Sequence, residues 1–335
     1  MSGLKIGYLP FEIENEYVEN MRVLLSRFGE VRPVPGLSPA GLFRRMAGRL
    51  ERMDFVFINW EENLIINRRT GGVSPLGVCK FFLKILWWKA IARRQIFVRH
   101  NNYLHHAVGD ARRYARLLID FAESLFSAAM FHSGHLQQTA RRQYVPHPLY
   151  RREYVADAAE KGVQDYYVVF GRLLPYKKID ELIAALPVGK RLLVFGSCDA
   201  PEYVAKLNDL ARGKEVEIRP GYVDGLTAQE IIAHSRGVLI AHADDDMIVS
   251  GTYFFAATLG VPVFAVSTPF LEWARRSGKI DGLTTFGSVA DLANNLPDHD
   301  LWNRALIRDQ AVAHFGDREV LKALANLLGT SGKPR

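Results

Sequence analysis

Short apolar runs alternate with amphipathic stretches along this chain, and the alternation runs through twice. Leu4–Leu9, Val31–Val34, Asp54–Trp60, Gln95–Arg99 and Phe126–Phe131 read as strands. Glu14–Phe28, Pro39–Met53, Leu76–Arg94 and Ala107–Leu125 read as the helices between them. After the proline-rich segment YVPHPLYRRE the pattern restarts, with strands at Tyr166–Phe170, Arg191–Phe195, Val216–Arg219, Gly237–His242 and Val261–Val266. Continuous apolar runs suit strands buried on both faces, as in parallel sheets wrapped by helices. Two such runs predict two doubly wound, Rossmann-like α/β domains facing each other across an interdomain cleft. The expected boundaries are 1–150 and 151–315, with a hinge around Val145–Val163. The segment 316–335 is expected to be a C-terminal helix packing back towards the first domain. A length of 335 residues, too great for one ordinary core, agrees.

Charge divides the two halves. Residues 1–152 carry 23 Lys and Arg against 12 Asp and Glu, a net of +11, although the whole chain is only +7. The first half therefore favours an anionic neighbour. Neither a basic recognition helix, a zinc knuckle nor an aromatic RNA-binding signature is visible, so nucleic acid is not the expected partner. Cys79 and Cys198 stand far apart in unlike contexts, which excludes a disulfide framework or a zinc cluster and fits a reducing cytoplasm. No basic start followed by a long apolar run opens the chain, so no signal peptide is expected.

The stretch YYVVFGRLLPYKKIDELI, Tyr166–Ile183, passes from a buried strand through Gly171 into a cationic loop with Arg172, Lys177 and Lys178, and then into a helix. Strand, glycine, loop and helix in that order bring backbone N–H groups and cations to one place, where α/β proteins hold phosphates. A plain solvated basic turn fits the same residues. Further on, Ser250-Gly251-Thr252 opens an apolar helix that ends at Gly260-Val261-Pro262-Val263. Small residues at a helix start leave open N–H groups for a diphosphate, although Ser250 also suits a simple N-cap.

FGRLLPYKKIDELIAAL resembles the GR…K-G-(I/V)-D-x-L-I motif of GT-B glycosyltransferases, particularly glycosyltransferase family 4. SGTYFFAATLGVPVFA is similar to their later segment, a small-residue helix ending in Gly-x-Pro-Val. FVRHNNYLHH resembles the T-V-H-N-x-x-P-H stretch of bacterial polysaccharide glycosyltransferases at His100, Asn101 and His105, and FINWEEN resembles the strand end before it. The resemblance implies a nucleotide-diphosphate sugar donor, UDP- or GDP-linked, held mainly by the second domain. Arg172 and Lys178 would neutralise the departing diphosphate. Gly171, Lys177, Asp246, Ser250, Gly251 and Thr252 would bind the donor. The acceptor would lie on the first domain near His100, His105 and the Glu61/Glu62 pair.

The family's two glutamates fall near Met247 and Phe255, and neither position is acidic. Asp244, Asp245 and Asp246 lie just upstream and are candidates to replace the first carboxylate. If the reaction inverts, a base is required, and His105, His100 and Glu62 are the candidates. No metal or other cofactor is expected, since the cations supply the charge. The segment KFFLKILWWKAIARR, Lys80–Arg94, holds five basic residues, no acid, and Phe81, Phe82, Trp87 and Trp88. Too often charged for a span, it suits an anionic headgroup layer, or else a first-domain helix with its rings in the core. The expectation is a metal-independent glycosyltransferase, peripheral on the cytoplasmic face of the plasma membrane, extending a lipid-linked oligosaccharide in bacterial polysaccharide assembly. A non-catalytic sugar-nucleotide-binding subunit and a nucleotide-sugar epimerase of the same fold are the alternatives.

Overall fold

The computed structural model describes residues 3–67, 69–102, 107–151, 162–242, 247–277, 279–299 and 301–330. The chain divides into two compact units. Unit 1 comprises Met1–Pro148, Asp246–Val249 and Asp317–Arg335, and unit 2 comprises Leu149–Asp245 and Ser250–Gly316.

Unit 1 begins β1 (Leu4–Leu9), α1 (Glu16–Ser26), β2 (Gly29–Pro33), α2 (Pro39–Met46), β3 (Met53–Asn59) and α3 (Pro75–Ile91). It continues β4 (Ala92–Arg99), α4 (Asp110–Leu125), β5 (Ala128–Phe131) and β6 (Arg142–Tyr144). The strands form one sheet, β2-β1-β3-β4-β5-β6, with every pairing parallel. Local chemistry starts its helices. Ser38 and Ser74 accept hydrogen bonds from the N–H groups of Gly41 and Gly77, each with proline at the next position.

Unit 2 contains β7 (Tyr167–Phe170), α5 (Ile179–Ala185), β8 (Leu192–Gly196), α6 (Pro201–Ala211), β9 (Val216–Pro220) and α7 (Gly225–His234). Then follow β10 (Gly237–Ile240), α8 (Gly251–Leu259), β11 (Val263–Val266), α9 (Pro269–Arg276), β12 (Leu283–Phe286), α10 (Val289–Asn294) and α11 (Arg304–Phe315). Its sheet is also wholly parallel, in the order β12-β11-β10-β7-β8-β9. The last helix, α12 (Asp317–Leu328), returns to unit 1. Val320, Leu324, Leu327 and Leu328 share a core with Tyr17, Val18, Met21 and Leu24 of α1.

Each sheet therefore has helices on both faces, as the alternation predicts. β6 and β12 are strands that the sequence pattern does not announce, because Arg-Gln-Tyr and Leu-Thr-Thr-Phe are short edge strands with only partial burial. The predicted helix over Pro39–Met53 stops at Met46, where Gly48 (φ 67°) turns the chain towards β3. That over Leu76–Arg94 stops at Ile91, so Arg93 and Arg94 lie on β4.

The rings assigned to a headgroup layer are a further correction. Phe81, Trp87 and Trp88 are 0%, 3% and 2% exposed, in the core between α3, α4 and the sheet. The Trp87 indole donates to the Pro35 carbonyl at 2.8 Å. Burying three large rings is worth several kcal/mol, so α3 turns its aromatic side inward. No helix among the described residues is long and apolar enough to cross a membrane.

Strand order reverses between β1 and β3 in unit 1 and between β7 and β10 in unit 2. Parallel α/β sheets open a crevice at the carboxyl ends of the strands at such a point.

Candidate functional site

In unit 2 the strand ends beside the switch point are shaped by glycine backbone. Gly171 follows β7 at φ 92° and Gly196 ends β8 at φ 135°, conformations suited to glycine. A Cβ on Gly196 would stand 2.2 Å from the Gly171 carbonyl oxygen, so these two strand ends approach as only glycine allows. The chain then turns through a short 3-10 segment, Pro175–Lys177, into α5.

The three cations of this loop take different positions. The Lys177 ammonium folds back over the strand end, donating to the Phe170 carbonyl at 3.3 Å and lying 3.2 Å from where a Gly171 Cβ would stand. Burial, with Arg172 nearby, lowers its pKa to about 8. Arg172 is 62% exposed and pairs with Asp199 at 2.6 Å. Lys178 is 39% exposed and 3.6 Å from Glu181 on the next helical turn.

Lys178 also has left-handed backbone (φ 55°, ψ 33°), a conformation glycine adopts without strain. In the motif GR…K-G-(I/V)-D the glycine directly precedes Ile or Val. Lys178 stands in that place before Ile179, and Lys177 falls on the motif's lysine. The sequence reading pairs Arg172 with Lys178, whereas the cation folded over the strand end is Lys177. The motif's own order carried the signal.

At the start of α8, Ser250 is 5% exposed and its hydroxyl accepts from the Tyr253 N–H at 3.3 Å, the N-cap arrangement. Thr252 lies half-buried in the first turn. A Cβ on Gly251 would stand 2.7 Å from the Tyr150 hydroxyl, so a phenol covers this turn. Tyr150 and Phe170 each pack a ring 5.1 Å from Phe255, and Phe170 stacks on Phe195 at 6.0 Å. An aromatic row thus joins the end of β7 to the start of α8. Sequence reasoning places Phe255 on an apolar helix where the family has a carboxylate and Phe170 at a strand end, and assigns neither ring, nor Tyr150, to the site. Asp244, Asp245 and Asp246 lie outside the described residues. Met247, itself part of unit 1, is 4% exposed and bridges to Asn101 within that unit.

In unit 1, four strand ends contribute polar groups to one buried cluster. Asn59 ends β3 and its amide donates to the Leu9 carbonyl across the switch point at 2.9 Å. Its carbonyl oxygen, 3.0 Å from His100 Nε2, is then the acceptor. His100 therefore carries its proton on Nε2, and Nδ1 holds a lone pair. His132, directly after β5, lies 2.9 Å from the Val145 carbonyl through Nδ1 and 2.7 Å from the Tyr17 hydroxyl through Nε2. Only Nδ1–H can serve a carbonyl, so the tyrosine donates to Nε2. His147, beyond β6, likewise donates from Nδ1 to the Pro148 carbonyl at 2.7 Å.

Trp60, in left-handed backbone (φ 58°), stacks on His100 at 4.6 Å, and the Tyr17 ring lies 5.1–5.3 Å from all three imidazoles. Burial holds the histidines neutral. His132 falls to about 4, and His100 and His147 drop well below 6.5, with the neighbouring histidines contributing. His132 and His147 escape sequence reasoning because their meeting with His100 is tertiary. Their place just past β5 and β6 is the only local signal.

Glu62 is 2% exposed and its Oε2 has no hydrogen-bond partner among the described residues. Burial raises its pKa to about 7, opposed by Arg99. Glu61 is tied to Lys84 at 2.6 Å. His105 lies outside the described residues. No group of three or more His, Cys, Asp or Glu among the described residues is arranged to hold a metal ion.

No protein-family model and no curated protein matches this chain. Solved structures do. AviGT4, a glycosyltransferase involved in avilamycin A biosynthesis, is 17% identical with a TM-score of 0.58, covering 97% of both chains. Anabaena Alr3699/HepE, solved with UDP and glucose, is 15% identical with a TM-score of 0.60, covering 98% of this chain and 100% of its own. A putative UDP-N-acetylglucosamine 2-epimerase from Listeria monocytogenes is 12% identical with a TM-score of 0.53, covering 100% and 99%. Identity this low speaks for architecture. With its two parallel six-stranded sheets, the chain has the GT-B fold of these glycosyltransferases.

Proposed function

We propose that this protein is a glycosyltransferase that moves a sugar from a nucleoside-diphosphate donor to a lipid-linked oligosaccharide at an anionic membrane, in polysaccharide assembly. The observation that carries the reading is the Lys177 ammonium, held over Gly171 at the carboxyl end of β7 where the strand order reverses. A fixed cation there is placed to take the charge that grows on a departing diphosphate, without a metal. Arg172 supplies a second cation once it exchanges Asp199 for phosphate. Tyr150, Gly251 and Thr252 line the first turn of α8, and the rings of Phe170 and Phe255 offer a stacking face to the donor. In unit 1, Glu62 is the base for the acceptor hydroxyl, since a carboxyl that ionises near neutrality matches that task. His100 contributes its Nδ1 lone pair to the acceptor's hydrogen bonds.

Two other readings have one observation each. Met247 and Phe255 in place of the family's glutamates favour a non-catalytic sugar-nucleotide-binding subunit. The whole-length likeness to a putative epimerase favours epimerisation. A panel of UDP- and GDP-sugars, screened first for thermal stabilisation and then for turnover, separates the three. A transferase slowly releases free sugar and nucleotide from the stabilising donor, a binder releases neither, and an epimerase changes the sugar while leaving the diphosphate intact. Stabilisation by none of them would refute the proposal.

A further inference from the structure

We infer that the outer side of α2, α3 and α4 is a bilayer-docking surface, in which aliphatic and phenyl side chains enter the headgroup layer between lysines and arginines. This deepens the membrane part of the proposed function and places the contact on different side chains from the buried tryptophans. Among the described residues, nine of the twenty-one exposed large hydrophobic side chains belong to these three helices. Met46 is 80% exposed, Leu86 63%, Phe43 61% and Phe121 58%.

The three helices form one layer. The Arg45 guanidinium donates to the Ala90 carbonyl at 2.7 Å and the Trp87 indole to Pro35, joining α2 and its lead-in to α3. Phe82 and Phe121 meet at 5.7 Å, joining α3 to α4. Helix α2 buries none of its residues, although Leu42, Phe43 and Met46 occupy one side of it. On α3, Leu76, Leu83 and Leu86 recur at helical spacing on the side away from the sheet, and on α4 Tyr114, Leu117 and Phe121 do the same. An apolar area spread over three adjacent helices marks a contact surface.

Charge selects the occupant. Helices α2 and α3 contain no acidic residue, and between their apolar side chains stand Arg44, Lys80 and Lys89, all exposed. Arg113 and Arg116 extend the cationic set along α4. The acids of α4 are Asp110, Asp120 and Glu123, and the last two are bound to buried Arg99 at 2.7 and 2.8 Å. Lysine is depleted at protein–protein interfaces, whereas lysines and arginines around exposed apolar side chains are what an anionic leaflet attracts. Their long stems reach the phosphates while the apolar groups lie deeper.

The test is co-sedimentation of the full chain with phosphatidylcholine vesicles, with and without phosphatidylglycerol, without donor or acceptor. Binding to the anionic vesicles, weakened about tenfold or more by Lys80→Glu/Lys89→Glu and again by Phe43→Ser/Met46→Ser/Leu86→Ser, supports the surface. These side chains are exposed, so the variants should keep the parent melting temperature and nucleotide-induced stabilisation. Parent protein that binds UDP yet stays in the supernatant overturns the docking surface and leaves the transferase reading intact. Apolar variants that convert a dimer to a monomer, with vesicle binding unchanged, overturn it in favour of a second copy of this chain.

Discussion

Replacing Lys177 with methionine should stabilise the fold while weakening the proposed donor site. The ammonium is held where burial lowers its pKa from 10.5 to about 8, so the charged form is disfavoured in the folded state. At about 1.4 kcal/mol per pKa unit the penalty is at most about 3.5 kcal/mol, and partial solvent contact reduces it to roughly 1–3 kcal/mol. Its sign follows from linkage. The unfolded chain binds the proton more tightly, so the penalty is fully present below about 8 and fades as pH rises through 8 towards 10.5. Methionine, of similar length, keeps the packing and removes the charge. Urea unfolding at neutral pH should therefore show Lys177→Met to be more stable than the parent by roughly 1–3 kcal/mol. The gap should narrow towards pH 10 as the parent recovers. Loss of a charge-assisted contact to phosphate, about 1.5–3 kcal/mol, should meanwhile weaken UDP or GDP roughly 10–100-fold by calorimetry. A variant less stable than the parent at neutral pH, or one that binds nucleotide unchanged, would refute this role for Lys177.

Three further predictions test other parts of the structure. Lys178→Gly should gain up to about 1 kcal/mol in urea unfolding by relieving the left-handed backbone, and leave nucleotide affinity within twofold or so of the parent; a large loss of affinity would return Lys178 to the donor site. Glu62→Gln should abolish transfer and remove a rise in rate centred near pH 7. Because burial raises this carboxyl above its ordinary 4.5, parent stability should decline as pH climbs from about 4.5 through about 7, and the glutamine variant should not follow it. Tyr17→Phe leaves His132 Nε2 buried without its donor and should cost roughly 1–3 kcal/mol in chemical denaturation; an unchanged midpoint would mean that this hydrogen bond adds nothing.

The architecture was largely legible because buried parallel strands leave continuous apolar runs, as VVF and FVFIN do. What escaped was short or wet: β6 and β12 sit at sheet edges with partial burial and carry little pattern. Helix α3 was harder for a different reason. It is apolar on the side facing the sheet and again on the side away from it, so periodicity alone does not tell Trp87 and Trp88 from Leu83 and Leu86. Of the candidate site, Gly171, Lys177, His100 and Glu62 are legible only as residue types beside strand ends, and their roles are proposals. The choice between Lys177 and Lys178 turned on a backbone conformation, and the meeting of His100, His132 and His147 on three-dimensional convergence, neither of which adjacent letters encode.

Helix α12 has a consequence for how the chain is made. Its leucines complete a core begun by α1, three hundred or more positions earlier. A nascent polypeptide emerging from the ribosome thus leaves Val18, Met21 and Leu24 covered on the sheet side alone until α12 has been translated. Synthesis that stalls within unit 2 would leave part of that apolar face as bait for chaperones, and the twelve residues of α12 decide when the core around α1 is complete.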